Sequence, residues 1–401
     1  MESSIDGGTA RIDAATHYRR LLAELASFRT LGELYLSSFY KHHGQTLESV
    51  LQNIKQMEIP DARPTTSDFV RIVQWNILRG SKLNAITRAF QQHSLLKPAD
   101  IVTLNEVDVG MARTGNVNVA FELGQQLKMH SVFAAEYIEL TKGSRKEADV
   151  LGENNESLHG NAVLSRYPVK NVHVLRLPSC FNSFECAEKR YGDRIALFVE
   201  LVCRRPLLVV STHLEVWHTP KCRMRQMQFI LQEVERLVHN TEPVIIAGDL
   251  NTLTFSRRGR LDAAIGLLKL LLANPQSMRM RLRQPESDEP LFKFLYRQGF
   301  KIRGFNDDLP TCTSAFESIE EIEYLPLRLR RFVENALRGY DNKLEFRLDY
   351  ICCRGLEAAQ PGMICRTSGV AATAATTILG LVDDLGEPLS DHNPILADVV
   401  V

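Results

Sequence analysis

Hydrophobic residues in the first part of the chain recur at the spacing of amphipathic helices. Tyr18, Leu21, Leu22 and Leu25 share one predicted helical face. Similar spacing continues at two further sets of apolar positions: Leu31, Leu34 and Leu36, then Leu47, Val50, Leu51 and Ile54. Two prolines in residues 59–64 end this pattern, because proline cannot continue a helix. Residues 1–68 are therefore predicted to form a helical N-terminal extension that carries no catalytic groups.

From about residue 69, short apolar runs alternate with longer amphipathic segments. Strands are predicted at 71–77, 100–104, 161–164, 195–203, 207–211, 244–247, 344–352 and 394–401. Helices are predicted at 84–92, 118–127 and 223–238. This order is typical of a layered α/β or α+β domain over residues 69–401. Residues 256–343 are less regular, and we interpret them as an insertion in that domain.

Composition excludes several classes of protein. Of 401 residues, 44% are hydrophobic and 24% are charged, as in a folded globular enzyme rather than a disordered or low-complexity chain. Lys+Arg and Asp+Glu both number 48, so no overall charge attracts nucleic acid or a membrane surface. Binding of a polyanion would need a local patch, and residues 256–303, with 11 basic and 4 acidic residues, are the candidate.

Location and assembly are predicted from features that the sequence lacks. No apolar run approaches the roughly 18 residues of a membrane-spanning helix, and the N-terminal residues do not resemble a secretory signal. The eight cysteines form no CxxC pair and no disulfide framework, so we expect eight thiols in a reducing compartment. These observations favour a cytoplasmic protein, with a monomer as the default state.

Polar residues that are able to bind a metal ion or transfer a proton follow or interrupt the predicted strands. They are Asn76, Glu106, His213, Asp249 with Asn251, Asp349, and Asp391 with His392. Ligands of layered α/β proteins bind beyond the carboxyl ends of strands, so these residues are predicted to line one cleft. Asp349 lies within an otherwise apolar strand, where an unpaired carboxylate is costly, and an imidazolium is its expected partner.

The residue types in this predicted cleft favour a hard metal ion. Glu106, Asp249 and Asp391, with the amide oxygens of Asn76 and Asn251, suit Mg²⁺ or Mn²⁺ better than zinc. The sequence has no phosphate-binding P-loop, no dinucleotide-binding glycine motif and no serine nucleophile elbow. A hard metal combined with two histidines is typical of phosphate-ester hydrolysis by activated water.

Taken together, these motifs resemble the endonuclease/exonuclease/phosphatase superfamily. The matching segments are Trp75-Asn76, Leu104-Asn105-Glu106, Gly160-Asn161-Ala162-Val163-Leu164-Ser165, Ser211-Thr212-His213, Gly248-Asp249-Leu250-Asn251, Leu348-Asp349-Tyr350 and Ser390-Asp391-His392-Asn393-Pro394. The resemblance runs from about residue 69 to residue 401. It implies a four-layer α-β-β-α sandwich, in which two packed mixed sheets are flanked by helices and the site lies at their rim.

The resemblance also implies roles for the acidic and amide residues. Glu106 is the expected main metal ligand, with Asn76 beside it as a ligand or substrate contact, and Asp391 is a further carboxylate of the metal site. Asp249 and Asn251 are expected to position the attacking water and the scissile phosphate, and Asp249 also belongs to the predicted metal site.

The histidines and two further residues receive roles in the same way. His392 is expected to act as the general base or to polarise the phosphate, oriented by Asp349. His213 matches a second histidine that assists the leaving group. Asn161 is expected near the substrate, and Arg113, in a segment that resembles one branch of the superfamily, is a candidate phosphate clamp.

The substrate stays open at the level of sequence. The predicted function is hydrolysis of a small or local phosphate ester, more specifically a phosphodiester, with Mg²⁺ or Mn²⁺ as cofactor. A nuclease acting on DNA or RNA is the alternative within the same chemistry. A catalytically silent phosphate-binding module on the same fold is the alternative from another class, and the presence of every motif residue disfavours it.

Overall fold

The computed structural model describes residues 6–144, 147–238, 242–253, 274–315 and 343–401, with isolated residues between 262 and 335. Much of the insertion predicted at 256–343 therefore lies outside the described residues. Eight α-helices are named here: α1 Asp6–Ser27, α2 Leu31–Leu36, α3 Ser38–Gln52, α4 Leu83–Gln92, α5 Val119–Leu127, α6 Pro220–Leu237, α7 Pro275–Arg283 and α8 Leu291–Arg297. In the described part of the chain, no helix is both long and apolar enough to cross a bilayer.

Sixteen strands are named in the described residues. They are β1 Lys55–Met57, β2 Val70–Arg79, β3 Ile101–Val109, β4 His130–Glu139, β5 Leu158–Ser165, β6 Val169–Arg176, β7 Arg190–Gly192, β8 Ile195–Val202, β9 Pro206–His213, β10 Val244–Asp249, β11 Cys312–Ala315, β12 Lys343–Phe346, β13 Asp349–Arg354, β14 Glu357–Ala358, β15 Thr376–Thr377 and β16 Ile395–Val400.

Most of these strands form two mixed sheets. The larger sheet has the order β1-β4-β5-β3-β2-β16-β14, with β7 beside β4 and β15 beside β16. The smaller sheet has the order β13-β10-β9-β8-β6. Parallel pairs join β2 to β3 and β9 to β10, and their neighbours are antiparallel.

Three hydrophobic cores separate four layers. The core between the sheets contains Ile72, Ile101, Val163, Leu197, Val209, Ile245 and Ile351. A second core packs the outer face of the larger sheet against α3, α4 and α5, through Leu47, Trp75, Ile86, Leu104 and Leu123. A third packs the outer face of the smaller sheet against α6 and α8, through Val210, Met227, Ile230, Ile246 and Phe292. The predicted four-layer α-β-β-α sandwich is confirmed.

The N-terminal extension belongs to the outer helical layer of the larger sheet. Leu34, Leu47 and Leu51 are buried in the core on that face. Strand β1, which the sequence pattern did not predict, pairs with β4. The ammonium group of Lys189 donates hydrogen bonds to the carbonyls of Ala26 and Phe28. The described part of this segment contains the helices α1, α2 and α3 and the strand β1, and it is packed into the sandwich.

Two further expectations differ from the structure. The strand predicted at 344–352 is two strands, because the backbone N–H groups of Leu348 and Asp349 donate to the Thr311 hydroxyl, at 2.9 and 3.1 Å, instead of to a neighbouring strand. The expectation of eight thiols is wrong for Cys180 and Cys222, which form a disulfide with their Cα atoms 6.4 Å apart. The other six cysteines are unpaired.

Candidate functional site

The first part of the site comes from β2 and β3. Side chains alternate along β2, so Asn76 faces the space between the sheets while Trp75 packs outward. In β3 the pairing register with β5 shifts between Leu104 and Val107. This bulge contains Glu106, whose φ of 53° is unusual for a residue other than glycine. The Nδ2 group of Asn76 donates to Glu106 Oε1, at 3.2 Å.

The second part comes from three neighbouring strands of the smaller sheet. Asp249 ends β10, and the pairing register places it opposite His213 of β9 on one side and Asp349 of β13 on the other. All three residues are buried. The Asn76 Nδ2 group also donates to Asp249 Oδ2, at 3.2 Å, and thereby links the two sheets. The backbone N–H of Asn251 donates to Asp249 Oδ1, at 3.0 Å.

His392 completes a row of alternating acid and base groups. Its Nδ1 donates to Asp349 Oδ2, at 2.7 Å, as the buried carboxylate required. Its Nε2 lies 3.7 Å from Asp249 Oδ2, and His213 Nε2 lies 3.5 Å from the same oxygen. Asp249 is therefore flanked by the two histidines that the sequence motifs indicated.

Burial and neighbouring charges shift the pKa values of Asp249, His392 and His213 in different directions. Burial raises the pKa of Asp249 to about 7, with a contribution from the negative charge of Asp349. Burial opposes the charged form of His392, but its acidic neighbours Cys312, Asp349 and Asp249 raise its pKa well above the ordinary value. Burial, with the positive charge of Arg194, lowers the pKa of His213 well below the ordinary value.

Glu106 and Asp391 form a second acidic group in the same cleft. Asp391 is exposed at its mouth, and the hydroxyl of Ser390 donates to Asp391 Oδ1, at 3.2 Å. Desolvation and the charge of Glu106 raise the pKa of Asp391. Burial would raise the pKa of Glu106 as well, but the charges of His159 and Arg79 keep it below its usual value. This group therefore brings two carboxylates close together, and nearby positive charges keep the pKa below its usual value only for Glu106.

Asn161, predicted to lie near the substrate, is a connecting residue behind the site. Its Oδ1 accepts from Asn105 Nδ2, at 2.8 Å, and its Nδ2 donates to Glu136 Oε1, at 3.0 Å. Asn105 in turn accepts the backbone N–H of Asp249, at 2.9 Å. Asn161 thus supports Asp249 through Asn105, and both ends of its amide are engaged within the protein.

Two other predicted residues are also turned toward protein groups. The Asn76 oxygen accepts the backbone N–H of Leu78, at 3.2 Å, and its NH₂ group donates to the carboxylates of Glu106 and Asp249. Arg113, the candidate phosphate clamp, donates twice to Asp108, at 2.7 and 3.0 Å, and its side chain is only 3% exposed. Glu188 lies 2.9 Å from the same guanidinium.

The structure adds a cationic residue that the sequence motifs did not indicate. Arg194 immediately precedes β8, and its Nη1 donates to Glu136 Oε2, at 2.9 Å. Its Nε is buried without a hydrogen-bond partner among the described residues, and its charge acts on His213. An arginine directly before an apolar strand was the available signal, but nothing in the sequence showed which way this residue faces.

Candidate groups for a divalent cation are present in the described residues. Ligand atoms of Asp249, Asp349 and His392 lie within 4.8 Å of one another, as do those of Cys312, Asp391 and His392. The first group is already joined by the hydrogen bond between His392 and Asp349. Burial, together with a neighbouring carboxylate, raises the pKa values of Asp249 and Asp391, and a bound cation would favour the charged forms of both groups.

We expect the metal-free protein to be more stable at pH 5 than at pH 8. The folded pKa of Asp249 is about 7 against a model-peptide value of 3.8, so the folded state binds the extra proton between these values and loses stability as the pH rises. Between pH 5 and pH 8 this group accounts for about 3 kcal/mol. The raised pKa of His392 acts in the same direction, and the lowered pKa of His213 acts in the opposite one. Urea unfolding in chelator at both pH values measures the difference.

A matched pair of variants assigns this pH dependence. Asp249→Asn should flatten it, whereas Asp61→Asn, at an exposed position on the extension, should leave it unchanged. Stability of the metal-free wild type that rises steadily from pH 5 to pH 8 would contradict the prediction.

Comparison with known proteins places the chain in a family. A sequence model described as the Endonuclease/Exonuclease/phosphatase family matches residues 73–392, and the chain belongs to this family. Its members are in general hydrolases of phosphate esters that depend on divalent metals. The resemblance predicted from the sequence motifs is therefore confirmed. No curated protein sequence matches the chain.

Solved structures of similar fold include several members of the same superfamily. The human Nocturnin catalytic domain with bound sulfate is 16% identical, with 86% of this chain and 96% of that chain covered and a TM-score of 0.46. An endonuclease/exonuclease/phosphatase from Beutenbergia cavernae is 17% identical, with 83% and 72% covered and a TM-score of 0.45. An AP endonuclease from Archaeoglobus fulgidus is 14% identical, with 82% and 98% covered and a TM-score of 0.43.

Proposed function

We propose that this protein hydrolyses phosphodiesters with the help of a divalent metal ion and an activated water molecule. The observation that carries the proposal is the row Asp349–His392–Asp249–His213, which lies in one cleft with the carboxylates of Glu106 and Asp391. A protein that only binds phosphate has no need for a buried carboxylate whose pKa lies near neutrality.

Glu106 and Asp391 would hold the metal ion, with Asp249 at the inner side of the same cleft. Carboxylate oxygens favour Mg²⁺ or Mn²⁺, as expected from the sequence. The bound cation would supply neutralisation of charge on the phosphate during displacement. Asn76 would keep the carboxylates of Glu106 and Asp249 apart and oriented, because its NH₂ group donates to both.

The chain's own residues would perform the proton chemistry. With a pKa of about 7, the Asp249 carboxylate is suited to accept the proton of the attacking water near neutral pH. The backbone N–H of Asn251 donates to that carboxylate, and the side-chain oxygen of Asn105 accepts the backbone N–H of Asp249. His392, charged and fixed by Asp349, would donate a hydrogen bond to the phosphate. Of its two expected roles, general base or polarisation of the phosphate, it would therefore perform the second. His213, kept neutral, would stand beside the leaving oxygen.

The surface charge supports a small substrate over a long polyanion. Helix α7 carries three basic residues of the described part of the insertion, and two of them are paired: Arg281 lies 2.8 Å from Asp288, and Arg283 pairs with Glu345. Arginines that are already paired contribute less to counterion release when nucleic acid binds. In the described part of the insertion, these two arginines are therefore less available to a nucleic acid than unpaired ones would be.

The function is tested with a panel of substrates and one preparation of protein. The wild-type protein, supplied with Mg²⁺ or Mn²⁺, should hydrolyse a chromogenic phosphodiester faster than the matching phosphomonoester. Asp249→Asn should lose this activity, and Asp61→Asn should retain it. Absence of hydrolysis of every diester and monoester, by protein that is folded and binds metal, would refute the proposal and favour the silent binding module.

Duplex DNA should bind weakly, with a shallow dependence on salt. The salt slope scales with the number of phosphates neutralised, at about 0.9 per contact, and two arginines of α7 are paired within the protein. Binding and cleavage of duplex and single-stranded DNA, measured at low and moderate salt beside the small diesters, check this. Steep salt dependence with processive cleavage, both lost on neutralising Arg279, Arg281 and Arg283, would instead establish the nuclease alternative.

A further inference from the structure

A second buried histidine–aspartate pair lies on two neighbouring strands of the larger sheet. His159 Nδ1 is 2.9 Å from Asp108 Oδ1, and the pairing register of β3 and β5 places these two residues opposite each other. His159 is 1% exposed and Asp108 is fully buried. The roles described above use neither residue. The proposed reaction therefore assigns no role to this buried pair.

Asp108 is held so firmly that it fixes the orientation of the ring. The Nε and Nη2 groups of Arg113 donate to its two oxygens, at 2.7 and 3.0 Å. The same guanidinium is held from the other side by Glu188 and Glu139, at 2.9 and 3.4 Å. Such a bidentate contact fixes the plane of the carboxylate. His159 Nδ1 is thereby turned toward Asp108, and its Nε2 points away from it.

The free side of the ring is directed toward the site. Side chains alternate along β5, so His159 lies on the same face as Asn161, which contacts Asn105 and Glu136 between the sheets. The charge of His159 acts on three groups of the site, namely Glu106, Glu136 and His213. His159 therefore lies on the inter-sheet face of β5, beside strand β3, which carries Glu106.

We propose that His159 binds a non-bridging oxygen of the substrate phosphate through Nε2. The inference rests on the proposed function, because that function brings a phosphate between Glu106 and His392. A hydrogen bond from Nε2 to the phosphate, beside the bond from Nδ1 to Asp108, uses the imidazolium form, in which both ring nitrogens donate. His159 and His392 then hold the phosphate from opposite sides, each backed by its own aspartate. Arg113 acts through Asp108 as a positioning residue.

The test measures binding of inorganic phosphate by calorimetry at a fixed, saturating concentration of Mg²⁺. His159→Phe should weaken phosphate binding about 10- to 100-fold, the loss of one charge-assisted hydrogen bond. His159→Gln, which keeps a donor near the position of Nε2, should recover most of that loss. Both variants leave Asp108 paired with Arg113, so the fold should persist. The affinity for Mg²⁺ should remain within about twofold of the wild type.

The outcomes separate this inference from the proposed function. Unchanged phosphate affinity in His159→Phe would overturn it, as would equal weakening in both variants accompanied by equal losses of thermal stability. If His159→Phe does not fold, His159→Gln decides: near-wild-type phosphate affinity supports the inference, and a loss of tenfold or more overturns it. Phosphate binding that depends on His159 in a protein without diesterase activity would support the inference while refuting the proposed reaction.

Discussion

His392→Ala is expected to lower the turnover of a chromogenic phosphodiester by roughly 10²–10⁴-fold, the range of general acid–base catalysis. The substitution removes the imidazole that Asp349 holds at 2.7 Å and that lies 3.7 Å from Asp249. Because Glu106 and Asp391 remain, the affinity for Mg²⁺ should change little. Steady-state kinetics and metal titration on the same preparation measure the two quantities separately.

Two further variants test whether orientation or charge is responsible. Asp349→Asn should reproduce part of the loss, because the amide no longer holds His392 as a charged donor. His42→Ala, on the exposed side of α3, should retain full activity. Equal activity of His392→Ala and the wild type would refute the role in proton transfer or phosphate polarisation.

Glu106→Gln is expected to weaken Mg²⁺ binding more than the 10- to 100-fold that is typical when a supporting residue of a metal site is lost. The variant keeps the size of the side chain and its contact with Asn76 but removes the negative charge. Activity should therefore recover in part at high metal concentration. Calorimetric titration with Mg²⁺, followed by kinetics over a range of metal concentrations, distinguishes weakened binding from an impaired chemical step.

An acidic residue far from the cleft provides the control. Glu24→Gln, at an exposed position of α1, should leave both metal affinity and turnover unchanged. If Glu106→Gln bound Mg²⁺ as tightly as the wild type, Glu106 would not be a ligand, and the metal site would have to be sought around Asp249 and Asp391 alone.

The sequence predicted the positions of site residues best where polar side chains stand at the ends of strands. Asn76, Glu106, His213 and Asp249 were predicted to meet in one cleft, and the sheets bring them together. The partner of Asp349 was also predicted, because a buried carboxylate requires one, and it is His392. These inferences need only strand direction and the cost of burying charge.

The orientation of individual side chains could not be derived in the same way. A motif places Asn161 near the site, but only the packed sheets show that both ends of its amide are occupied by Asn105 and Glu136. Arg113 had the chemistry of a phosphate clamp, yet it is surrounded by Asp108, five positions before it, and by Glu139 and Glu188 from more distant segments. His159 was missed because its partner, Asp108, lies across a strand pair and 51 positions away along the chain.

The unpredicted elements have a similar cause. Strand β4, which joins the larger sheet beside β5, is buried on both faces and lacks the alternation that identifies a half-exposed strand. The disulfide between Cys180 and Cys222 has no sequence signature either, because 42 positions separate its cysteines and the fold alone brings them together. Contacts between distant segments set both features.

Metal-dependent hydrolysis is the central claim, and removal and return of metal on one protein sample test it most directly. The protein is stripped with chelator, and hydrolysis of a chromogenic phosphodiester is recorded before and after titration with Mg²⁺, Mn²⁺ or Zn²⁺. We predict that activity falls to background in chelator and is restored by Mg²⁺ or Mn²⁺ in preference to Zn²⁺. Activity that survives complete removal of metal would contradict the account.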